Sequence, residues 1–65
     1  MCTKEELRDD LLHFVDPSRI VSGKLMEAIF GVELSQATVQ AWLDAEGLDF
    51  DVVEGDGTVY RFNRR

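Results

Sequence analysis

Up to Gly47 the apolar residues recur at helical spacing, and after it they alternate with polar ones; no other feature of the sequence limits the fold as strongly as this change of period. Ser35 is suited to capping a helix start and Gly47 to ending one in the left-handed conformation, with Val39, Trp42, Leu43 and Glu46 at steps of three and four between them. Beyond Gly47, Leu48, Phe50 and Val52 alternate with Asp49, Asp51 and Val53, and Val59 and Arg61 alternate with Tyr60 and Phe62. Glu54-Gly55-Asp56-Gly57 between the two runs has turn chemistry. The pattern predicts a helix over residues 35–46 followed by a β-hairpin with its tip at 54–57. A helix-only chain with 48–62 disordered is the alternative, and both the alternation and the Gly-Asp-Gly turn argue against it.

Upstream, Thr3 followed three residues later by Glu6 is a capping-box pattern, and Leu7, Leu11, Leu12, Phe14 and Val15 supply an apolar face. These predict a first helix over about residues 4–14, stopped by Asp16-Pro17-Ser18, because the residue before proline avoids the helical region. His13 is expected half-buried beside that apolar face. Arg19-Ile20-Val21 is a short run with β-branched residues and predicts an edge strand; the alternative is one helix over 19–30 capped by Ser18, with Gly23 as its weak point. Ser22 is placed to cap a second helix carrying Leu25, Met26, Ile29 and Phe30, which Gly31 closes. Two short helices joined by a turn at Val32-Glu33-Leu34 make a helix-turn-helix unit. The expected class is α+β, a winged helix-turn-helix of three helices plus a C-terminal β-hairpin, with a strand near 19–21 completing a small three-stranded sheet. Residues 1–65 form one domain in this reading, Trp42 is its central core aromatic against Phe30 and Leu43, and 63–65 trail as a loose end.

At 65 residues the chain is near the lower limit for a domain standing on an apolar core alone, so a deep catalytic cleft is not expected. Its net charge is −6, a repulsive field for any polyanion. The distribution is uneven: residues 1–58 hold four basic and thirteen acidic side chains, whereas Arg61, Arg64 and Arg65 follow at the end. Cys2 is the sole cysteine, which rules out an internal disulfide and leaves no cysteine set for zinc. His13 has no second histidine or cysteine to form a metal site with. There is no nucleophile–base arrangement, no phosphate-binding glycine loop and no metal-ligand spacing, so neither an enzyme nor a cofactor is expected. No apolar run reaches the length of a signal peptide or membrane span, and a cytoplasmic protein without a membrane or small-molecule partner is expected.

Leu25-Met26-Glu27-Ala28-Ile29-Phe30-Gly31, Ser35-Gln36-Ala37-Thr38-Val39-Gln40-Ala41-Trp42-Leu43, Glu46-Gly47-Leu48 and Gly55-Asp56-Gly57-Thr58-Val59-Tyr60 together resemble the winged helix-turn-helix superfamily. The nearest flavour is the small phage and bacterial group with excisionases and small-terminase DNA-packaging domains. The resemblance covers about residues 19–62 and departs from the common pattern in a longer turn before Thr38 and a third helix without Lys or Arg. It implies DNA binding in regulation, excision or packaging, with helix 35–46 as the recognition helix. On that helix Gln36, Ala37, Gln40, Ala41 and Asp44 would face the groove, since Gln pairs with adenine and alanine meets the thymine methyl. Arg19, Lys24, Arg61, Arg64 and Arg65 would contact the phosphate backbone. The negative body implies weak binding by a monomer, so a homodimer, a partner protein or neighbouring copies on the site would be required. The second expectation, from a different class, is an acidic protein-docking winged helix, an adaptor, inhibitor or DNA mimic that holds a basic partner. Its candidate contacts are the small-residue ridge Ala37, Ala41 and Ala45 with Glu54 and Asp56 of the hairpin tip.

Overall fold

The computed structural model describes residues 3–55 and 59–65. Its order is α1 (Lys4–Leu12), β1 (Ser18–Ser22), α2 (Gly23–Phe30), a 3-10 turn (Gly31–Glu33), α3 (Gln36–Ala45), β2 (Phe50–Gly55) and β3 (Val59–Arg64). The three strands form one antiparallel sheet in the order β1-β3-β2. The chain is therefore α+β, and Arg19-Ile20-Val21 is strand rather than the beginning of a long helix.

Each helix begins on a side chain that relieves an unpaired backbone N–H. Thr3 Oγ1 accepts from Glu6 N at 3.2 Å, Ser22 Oγ from Leu25 N at 3.2 Å, and Ser35 Oγ from Thr38 N at 3.1 Å. Ser22 thereby ends β1 and starts α2 in a single residue. At the far end of α3, Gly47 sits at φ +72°, Leu48 N donates to Leu43 O at 3.0 Å and Gly47 N to Asp44 O at 3.2 Å. This double closure in the left-handed conformation turns the chain directly into the hairpin and buries Leu48. Gly31, at φ +64° and ψ −140°, does more than end α2: it starts the 3-10 turn that lengthens the link to α3. Helix α1 is shorter than the sequence predicts, because the last turn tightens at Leu12 as Phe14 N reaches back three residues to Leu11 O at 3.3 Å. The helix has thus ended several residues before Pro17.

One apolar cluster draws on every helix and strand: Leu7 and Leu11 of α1, Val21 of β1, Met26 and Phe30 of α2, Val39 and Leu43 of α3, then Leu48, Phe50, Val52, Tyr60 and Phe62. Its centre is Phe62, fully buried on the middle strand. Trp42 packs at the rim instead, half-buried and edge-on to Phe30 with ring centroids 5.6 Å apart. The indole was expected at the centre, but its helix position lies beside the inward stripe of Val39 and Leu43, both fully buried. His13 also departs from expectation: as the residue capping the end of α1 it is turned outward, with its side chain 79% exposed.

The C-terminal residues are tied down rather than loose. Asn63 and Arg64 belong to β3, Arg64 N donates to Pro17 O at 2.8 Å, and Arg65 N donates to Asp49 O at 2.9 Å. The alternation of 59–62 simply continues through Arg64, whose guanidinium lies over the Phe50 ring at 5.0 Å.

Candidate interaction surface

In a three-stranded sheet the two outer strands each leave half of their backbone groups unpaired, and in this chain those two edges are treated differently. Along β2 the groups pointing away from β3 are those of Phe50, Val52 and Glu54. Helix α3 lies beside this edge and meets it with glutamine amides. Gln40 Nε2 donates to Phe50 O at 3.1 Å, Val52 N donates to Gln40 Oε1 at 3.0 Å, and Glu54 N donates to Gln36 Oε1 at 3.4 Å. A glutamine side chain carries the same donor and acceptor as a peptide unit, so Gln40 stands where one residue of a fourth strand would stand. The spacing explains the pattern: Gln36 and Gln40 are one helical turn apart, about 6 Å along the axis, and Val52 and Glu54 are about 6.8 Å apart along a strand.

Asp44, one further turn along α3, extends this line. Its Oδ1 accepts from Gln40 Nε2 at 3.4 Å and from Arg65 at 3.1 Å, while Arg65 also reaches Asp51 at 2.8 Å. These carboxylates, Asp51 foremost and then Asp44, raise the Arg65 guanidinium above its ordinary pKa. Of the groove-facing residues expected on α3, Gln36, Gln40 and Asp44 thus make bonds within the molecule. Ala37, Ala41 and Ala45 are all exposed on the adjoining outward face.

The basic residues expected on a phosphate backbone are not gathered into one surface. Arg19 donates to Asp10 at 2.8 Å and lies over Phe14, Arg64 stacks on Phe50, and Arg65 is held by the two aspartates. Arg61 is on the outer face of the sheet, in a row with Ile20 and Val53 on either side of it. Lys24 is exposed in the first turn of α2. Neither Lys24 nor Arg61 is in a salt bridge among the described residues. Of the acidic hairpin tip, Glu54 is exposed, whereas Asp56 lies outside the described residues.

The glutamine pair and Arg65 are the interacting residues whose partners the sequence conceals. A signal for the first exists in retrospect: two glutamines four apart on a helix directly ahead of a hairpin. Their partners are backbone atoms of β2, however, and backbone atoms leave no mark in a sequence. Arg65 has no periodic context to place it beyond the last apolar residue. Tyr60, buried on the inner face of β3, is the other group with a displaced titration: burial raises its phenol above the ordinary value, and Glu54 and Glu27 add to this by charge. Among the described residues no group of His, Cys, Asp and Glu is arranged to hold a metal ion, and no helix is long and apolar enough to cross a membrane. The chain matches no family model, and no curated protein and no solved structure matches it.

Proposed function

We propose that this chain is a winged-helix docking module that binds a protein partner through the outward face of α3 and the acidic hairpin, and does not read DNA by itself. The element order and the β1-β3-β2 sheet are in keeping with a winged helix. The observation that carries the functional reading is the engagement of Gln36, Gln40 and Asp44. With both amide groups of Gln40, the side-chain carbonyl of Gln36 and a carboxylate oxygen of Asp44 taken up by β2 and Arg65, α3 offers a partner the ridge Ala37, Ala41 and Ala45. Short side chains let a helix or strand approach closely, and the net charge of −6 favours a basic partner. Base reading would require Gln40 to leave Phe50 and Val52, exposing the β2 edge in the same step.

Phosphate binding fares no better on this surface. Neutralising phosphates depends on several Lys or Arg side chains acting together against a net charge of −6, and here three of the five candidate cations are held by carboxylates or a ring.

The test is a fluorescence-anisotropy titration of random and mixed-sequence duplex DNA at about 50 and 200 mM salt, the range in which phosphate contacts reveal themselves. The expected outcome is no saturable binding at either salt. Binding at low salt that collapses at the higher one, and that falls for all sequences in Lys24→Ala, would replace docking with the DNA-binding function in regulation, excision or packaging. On the positive side, a photo-crosslinking side chain placed at position 41 should capture a basic protein from cells, and the same group at position 24 should not.

A further inference from the structure

The opposite edge of the sheet has no counterpart to the glutamines. Arg64 N bonds to Pro17 O, which places residues 17, 19 and 21 as the members of β1 that bond inward to β3. The N–H and C=O of Ile20, with those of Ser18 and Ser22 that point the same way, are left facing outward. Among the described residues no hydrogen bond reaches the outward groups of Ile20, and its side chain is 53% exposed. Directly beneath this edge, between α1 and α2, is a cleft of about 190 Å³ with an apolar floor of Leu7, Val21, Leu25 and Ile29. Glu6, Asp10 and Arg19 form its rim, with Arg19 held against Asp10.

We propose that β1 and this cleft take an extended segment of a basic protein, which adds to the sheet as a fourth strand. Unpaired peptide groups call for a peptide, because only another backbone presents N–H and C=O at matching intervals. Side chains of an added strand alternate between faces, so every second one on the inner face would enter the cleft, where an apolar residue fits the floor. The residues two positions to either side of it share that inner face and would meet Glu6 and Asp10, and α1 as a whole carries Glu5, Glu6, Asp9 and Asp10 against Lys4 and Arg8. That local excess, together with the −6 of the whole chain, favours a Lys- or Arg-bearing strand and disfavours a second copy of the same acidic chain. This surface is separate from the α3 ridge, and the inference does not depend on what α3 binds.

The probe is a synthetic peptide of about ten residues, strand length with some margin, in which valine and lysine take turns at every second position so that both lie on one face, with threonine between them; its counterpart replaces lysine with glutamate. In an amide-resolved NMR titration of the intact chain, the lysine peptide should shift Ile20, Ser22, Leu25 and Ile29 and slow hydrogen exchange at Ile20. Ile20→Pro removes one outward donor at a strand edge and should weaken binding about tenfold, the scale of losing one or two main-chain hydrogen bonds. Should that variant unfold, Ile29→Lys places a cation in the cleft and should weaken the lysine peptide equally without touching the backbone. Absence of binding by the lysine peptide, equal binding of the glutamate peptide, or shifts confined to Ala37, Ala41 and Ala45 would each overturn the inference. So would self-association of the chain through β1, seen as a concentration-dependent sedimentation coefficient that Ile20→Pro abolishes. Shifts confined to the alanine ridge would leave the α3 reading standing, which keeps the two failures distinct.

Discussion

The two edges of this small sheet solve the same problem in opposite ways. At β2, α3 takes up three outward backbone groups, the Phe50 carbonyl and the Val52 and Glu54 N–H groups, with Gln40 and Gln36, as one residue or two of a further strand would. At β1, no side chain does this among the described residues, and the outward groups of Ile20 are left above an apolar cleft. The difference comes from where each strand sits relative to its helix. Strand β2 follows α3 after a short glycine-closed turn and runs alongside it, whereas β1 runs straight into α2 through Ser22, whose side chain already caps that helix. A strand that becomes a helix cannot also be shielded by it.

The largest disturbance should come from the strand both edges share. Phe62→Ala empties the centre of the core, with an expected loss of about 3–5 kcal/mol. Against a total of roughly 3–10 kcal/mol for a chain of this length, thermal or urea denaturation should show it largely unfolded. If Phe62→Ala melted only one edge, the picture of a single core beneath both would fail.

Removing the closure itself comes next. Gln40→Ala leaves the Val52 N–H and the Phe50 carbonyl without their partner, at an expected cost of about 1–3 kcal/mol. Hydrogen exchange should localise the effect, with Val52 losing protection while Ile20, already unprotected, exchanges as before. Equal rates at Val52 and Ile20 in the unaltered chain would erase the contrast between the edges. Gly31→Ala should fall in a similar range, about 1–3 kcal/mol by denaturation, since no atom crowds the position and the penalty is the positive φ alone.

The smallest effect is electrostatic. Tyr60 titrates higher in the folded chain than its unfolded value near 10, so the folded state holds that proton more tightly. Its contribution is complete below pH 10 and is lost as pH rises through the folded value, so stability should decline on that side. Tyr60→Phe should flatten the alkaline decline relative to the unaltered chain in matched denaturation curves, leaving neutral pH little changed. An unchanged slope would place the phenol in contact with water.

Much of the architecture is legible in the residues themselves because its causes are local. Thr3, Ser22 and Ser35 cap the helices they immediately precede, Gly47 ends α3 with a backbone conformation few other residues adopt, and period-two alternation marks β2 and β3. Where the structure departs from the sequence pattern, the deciding contact is remote. Trp42 is expected at the centre against Phe30 and Leu43, but the inward stripe of α3 is set by Val39 and Leu43, and Phe62 from the far end of the chain occupies the middle. Arg65 looked free because nothing near it in sequence holds it, and its partners are Asp44 and Asp51.

The candidate surface divides along the same line. That residues 36–45 form a helix bearing glutamines, alanines and an aspartate is a property of the sequence alone, as are the negative charge and the hairpin behind it. Whether those glutamines face solvent or the molecule depended on packing. A side chain on a helix meets whatever the tertiary structure sets beside it, and here that is the unpaired backbone of β2, whose hydrogen-bonding groups are the same in every residue but proline and so are invisible until the strand has an edge.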